Sequence, residues 1–81
     1  MKFTAVYNTE SLKGIEYSFD ANNAEQAKDF CRNKFSVKDI LIICHDDPDY
    51  PNWLLHIGDK RKTSAIHRAY IKKHQDKTNY K

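Results

Sequence analysis

A chain of 81 residues, 40% apolar and 31% charged, has the makings of one folded domain with one modest core, and at this length it buries only about 60–65% of its unfolded surface. No run approaches the ~18–20 apolar residues of a membrane span, and two cysteines, Cys31 and Cys44, are too few for a disulfide scaffold and match no zinc spacing. The net charge of +3 hides a division: residues 1–57 hold six Lys/Arg against nine Asp/Glu, whereas residues 58–81 hold eight against two.

In chain order, Phe3, Ala5 and Tyr7 alternate with Lys2, Thr4 and Asn8, and Ile15, Tyr17 and Phe19 alternate with Glu16, Ser18 and Asp20. Both are the period-two pattern of a half-buried strand, joined by a polar loop over 9–14 that ends in Gly14. Asn22 or Asn23 can cap a helix through its side-chain oxygen, with Glu25 near the positive end. Ala24, Ala27, Phe30, Cys31 and Phe35 then recur at helical spacing, leaving Lys28, Asp29 and Arg32 outside. Residues 40–43, Ile-Leu-Ile-Ile, do not alternate and so predict a central strand, covered on both faces or deeply set. The loop over 45–52 holds two prolines, which forbid regular pairing. Trp53 to Ile57 is a last strand, ended by Gly58.

These elements predict an α+β domain, ββαββ, with a four-stranded antiparallel sheet in the order 2-1-3-4 and one helix packed on one face. Residues 1–58 form this body. Residues 59–81 form a basic C-terminal helix and tail of the same single domain, with Asp59 as N-cap and 78–81 expected to fray. The apolar stripe of this helix is narrow: Ile66, Ala69 and Tyr70, with Ala65 at the edge. A narrow stripe predicts loose docking, and hence a body that folds cooperatively without the tail.

The charge division points to an anionic partner, either nucleic acid or an acidic protein surface. At 100° per residue, Arg61, Arg68 and Lys72 lie within about 40° of one another and form a column down one side of the helix. Lys60, Lys62, Lys73 and Lys77 flank it. Such a column can follow a phosphate backbone, and Tyr70 and Tyr80 can stack on bases. The bland alternative is a solvated helix face.

A second candidate surface is the acidic loop, with Asp46, Asp47, Asp49 and the flanking Tyr50 beside His45 and Cys44. Its spacing is not that of a calcium loop, and Asp side chains in such turns commonly bond their own backbone. It could instead offer negative charge to a basic partner. Trp53 and Tyr50 either anchor an interface or cover an open sheet face. Of the four histidines, His67 and His74 sit two turns apart, wider than the usual ligand spacing on one helix, and His56 could approach His45. No nucleophile elbow, phosphate-cradling Gly loop or paired carboxylates in a cleft is visible, so no enzyme, no metal, no cofactor and no small-molecule substrate is expected. The start, MKFTAVYNTES, is not a signal-peptide pattern, which predicts a cytoplasmic protein without a membrane partner.

The layout resembles a class of very small phage and mobile-element proteins, some of them anti-CRISPR inhibitors. In these, a Met-Lys hairpin strand is followed by a segment like FDANNAEQAK, here residues 19–28, that leads into a single helix and one or two more strands. The resemblance covers residues 1–57, rests on architecture and carries over no functional residue; the basic helix departs from the simplest members. It implies a non-enzymatic inhibitor that occupies the surface of a nucleic-acid-handling protein or nucleoprotein complex. A direct DNA- or RNA-binding regulator using the basic helix is the alternative.

Overall fold

The structure, a computed structural model, describes residues 1–49 and 53–78, with side chains through residue 74. Strands β1 (Lys2–Tyr7), β2 (Ile15–Asp20), β3 (Ile40–Cys44) and β4 (Trp53–Ile57) form one antiparallel sheet ordered β2-β1-β3-β4. Helix α1 (Ala24–Lys34) joins β2 to β3, and α2 (Lys60–Thr78) follows β4. This is the predicted fold class and strand order.

Local chemistry sets the boundaries. Asn23 caps α1 by accepting from the Gln26 N–H at 2.9 Å, and the Gln26 side chain reaches back to the Asn22 N–H at 3.1 Å. The cap satisfies one orphan donor of the first turn, and the return bond holds the residue that precedes the cap. The helix ends at Lys34, so Phe35 is its C-cap rather than a member of its stripe. There the Phe35 ring packs tilted against that of Tyr7, with ring centroids 4.6 Å apart.

The two faces of the sheet carry separate apolar clusters. Phe3, Ala5, Ile40, Ile42 and Cys44 pack with Ala27 and Cys31 of α1, and with Phe19, Phe30, Trp53, Leu55 and Ile57 around them. On the other face, Val6, Leu41 and Ile43 pack with Ile66 of α2, flanked by Leu54 and Tyr70. All five residues of β3 are buried, because it is an inner strand covered on both faces. Both thiols are buried, and burial pushes the Cys31 thiol up to about 11, so it is a packing residue.

The second helix is seated more firmly than its stripe predicts. Ile66 is buried as expected, but Ala65 and Ala69 are exposed, and the third seat is Thr63, which is fully buried. A threonine escapes an apolar-stripe search. It can be buried because its hydroxyl is satisfied by the Asp59 and Lys60 carbonyls, at 3.3 and 3.2 Å, and by His56 Nδ1 at 2.6 Å.

The β4–α2 turn rests on Gly58, at φ +90°. A Cβ there would collide with the Lys38 carbonyl oxygen and the Asp39 carboxylate. That carboxylate accepts the Asp59 N–H at 2.8 Å and lies 3.8 Å from Lys62 Nζ, so it ties α2 to the end of the α1–β3 connection. Gly58→Ala should therefore destabilise by about 2–4 kcal/mol, from a forbidden φ and steric overlap together. The shift in the urea midpoint checks this; a near-zero shift would mean the turn relaxes freely.

Candidate functional surface

Helix α2 begins beside β3 and β4, through Asp39 and His56, and reaches β2 in its last turns, where His74 Nε2 lies 3.1 Å and Lys73 Nζ 3.4 Å from Glu16. It thus lies across β4, β3 and β1 and touches β2 through side chains. Asp59 is its N-cap, accepting the Arg61 N–H at 2.9 Å.

Thr63, Ile66 and Tyr70 face the sheet, and Arg61, Arg68 and Lys72 lie on the opposite side of the helix, all exposed. Among the described residues these three cations make no ion pair. Lys62 and Lys73, also exposed, are instead tethered to Asp39 and Glu16. Ser64 and Ala65 sit among the cations, and a shallow groove is lined by Lys60, Arg61, Ser64 and Arg68. From Arg61 to Lys72 the column rises through eleven steps, about 16 Å along the axis.

Lys60, Arg61 and Lys62 occupy the first turn, which has no acidic residue. Cations there oppose the helix dipole, each at a cost of about 0.3–1 kcal/mol when exposed. Lys62 is compensated by Asp39, and the Asp59 carboxylate caps the turn, whereas Lys60 and Arg61 make no ion pair among the described residues.

Tyr70 does not belong to this face. It is half-buried against the Val6–Leu41–Ile43 cluster, with its ring 4.1 Å from that of His74. Burial, followed by the nearby Glu16 charge, raises its hydroxyl pKa. Base stacking by Tyr70 is therefore corrected to a packing role. Tyr80 lies outside the described residues, as do Tyr50, the side chain of Lys77 and most of the segment expected to fray.

The acidic loop is occupied structurally. Asp46 accepts the Lys2 N–H at 2.7 Å. Asp47 accepts the Asp49 N–H at 2.8 Å and Trp53 Nε1 at 2.8 Å. Trp53 meets Phe3 edge-on at 5.8 Å and so covers the sheet. The Asp49 side chain remains exposed.

His45 and His56 do not converge. His45 Nε2 bonds Thr4 Oγ1 at 2.7 Å, whereas the register sets His56 opposite Leu41, four residues earlier on β3. Among the described residues no group of three or more His, Cys, Asp or Glu is placed to hold a metal ion.

Burial, then Lys60 and His67, lower the His56 pKa. The unfolded chain therefore takes up this proton first. The contribution of His56 is complete above the unfolded value of about 6.5 and is lost as pH falls through the lower folded value. Thermal midpoints should drop as pH is lowered from 7 through this window, and His56→Gln should flatten that slope. An unchanged slope would remove His56 as its source.

No helix among the described residues is long and apolar enough to cross a membrane. Comparison with protein-family models, curated proteins and solved structures returns no match to this chain.

Proposed function

We propose that this chain is a non-enzymatic binding protein of phage or mobile-element type. It inhibits or modulates a nucleic-acid-handling complex by laying the outer face of α2 on an anionic surface of that complex. The observation that carries this reading is the set of exposed Arg61, Arg68 and Lys72, which make no ion pair among the described residues, on a helix whose other side is fixed to the sheet. A rigid support means the side chains bind without first ordering a helix, so less entropy opposes association. The engaged Asp46 and Asp47 favour this face over the acidic loop.

A second reading, direct contact with DNA or RNA, is favoured by the composition of the face. Protein interfaces concentrate energy in aromatic anchors at their centre. Here the aromatic residue of the helix is turned inward, and small Ser64 and Ala65 separate the cations. Arg, Lys and Ser side chains are the usual phosphate ligands.

Salt-titrated binding to plain duplex and to single-stranded nucleic acid separates the readings. Three phosphate contacts give a slope of log K against log salt of about −2.7 on a duplex. Such a slope assigns nucleic acid as the direct ligand; no binding at low salt leaves an acidic protein surface. Arg68→Lys should weaken either complex if Arg68 forms paired hydrogen bonds, because an ammonium cannot reproduce the planar fork.

A further inference from the structure

The two edges of the sheet differ in chemistry. At the β2 edge, Met1 and Ala21 exchange hydrogen bonds, at 2.9 and 3.1 Å. Antiparallel alternation then turns the backbone groups of residues 15, 17 and 19 toward β1 and those of 16, 18 and 20 outward. Glu16 and Asp20 stand on that outward set, and such charges discourage a further strand from pairing.

The same parity is carried across the sheet. The His45 N–H donates to the Lys2 carbonyl at 3.0 Å, so residues 41, 43 and 45 turn toward β1, and 40, 42 and 44 toward β4. Ile57, Leu55 and Trp53 receive those bonds. The N–H and C=O groups of Leu54 and His56 are left pointing away from the sheet. This edge, WLLHI, has no acidic or Lys/Arg side chain, no proline and no glycine, and every residue of it is partly exposed. Within the strand itself, no charge, proline or glycine blunts the edge. Helix α2 runs from this edge toward β2, and α1 lies over β3 and β4 on the other face, so neither helix continues the sheet beyond β4.

We propose that β4 pairs antiparallel with β4 of a second copy of this chain, joining two sheets into one of eight strands. With Leu55 on the two-fold axis, Leu54 faces His56 of the second copy and the reverse, which satisfies all four outward backbone pairs of groups. Trp53 meets Ile57 of the second copy on the α1 face. The charges also match. Antiparallel pairing about Leu55 brings the exposed Asp49, in the loop before β4, toward the exposed Lys60 and Arg61 that follow β4 of the other copy. The two-fold axis makes this match twice, as a self-complementary interface requires. Leu54 and His56 both point to the α2 face, so the two α2 helices lie on one face of the joined sheet.

Sedimentation velocity from micromolar to near-millimolar concentration tests this. The wild type should pass from monomer to dimer, and the Leu54 and His56 amides should gain hydrogen-exchange protection with concentration. Leu54→Pro removes an outward N–H while sparing the β3–β4 bonds, and should leave a folded monomer. Should that variant not fold, a charge exchange decides: Asp49→Lys and Lys60→Asp should each weaken the dimer by about tenfold or more, and the double variant should restore it. A monomer at every concentration overturns the proposal. So does a dimer that ignores the charge exchange and shows no added protection at Leu54 and His56.

Discussion

Truncation after Gly58 should abolish the cooperative thermal transition. Removing α2 uncovers Val6, Leu41 and Ile43, all buried, together with Leu54. A fully buried side chain of this kind is worth about 1.5–3 kcal/mol. If α2 supplies half of that burial for four residues, the loss is about 3–6 kcal/mol. The total stability of small domains is about 5–15 kcal/mol, and a chain this short sits toward the low end. The truncation also strips His56 of its Thr63 partner and Asp39 of both its α2 contacts. A truncated chain that unfolds cooperatively near the full-length midpoint would show that the α1 side alone is a sufficient core, as the narrow stripe of α2 suggests from sequence.

Ile42→Ala should cost about 2–5 kcal/mol and bring the protein close to unfolding. Ile42 is fully buried on an inner strand, paired with Ala5 on one side and Leu55 on the other. Its neighbours are held by strand pairing on both flanks, so the cavity has little freedom to collapse. Phe30→Ala should cost less. Phe30 keeps solvent contact and packs on Phe19 and Tyr17, which belong to an edge strand. Urea midpoints for the two variants check the order; an Ile42→Ala midpoint at or above that of Phe30→Ala would mean the core is centred elsewhere.

The sheet was legible because its signals are local and strong. Alternation in residues 2–7 and 15–20, an unbroken apolar run at 40–43 and the turn residues between them leave few topologies. The cover on the second face was legible only from its other half: a strand without alternation needs two covered faces, and α2 is the one element left to supply the second. Its own sequence understates this, because one of its seats is Thr63, whose burial depends on carbonyls one turn back and on His56 from another element. The same limit applies to the candidate surface. The column of Arg61, Arg68 and Lys72 follows from helical periodicity alone. That Lys62 and Lys73 are engaged by Asp39 and Glu16, and that Tyr70 turns inward, depends on how the helix lies across the sheet. The edge chemistry of β4 needs the hydrogen-bond parity of three strand pairs, which no local pattern contains.

The central claim is that the outer face of α2 binds an anionic surface. Its most direct test compares the wild type with the Arg61→Glu, Arg68→Glu, Lys72→Glu triple variant on immobilised duplex DNA, single-stranded DNA and polyglutamate, with circular dichroism verifying that both fold. All three side chains are exposed and unpaired among the described residues, so the fold should survive. Like-charge juxtaposition at an interface costs several kcal/mol. The wild type should be held by at least one of the three ligands and released by salt, and the folded triple variant should be held by none. A folded triple variant retained as strongly as the wild type would contradict the account.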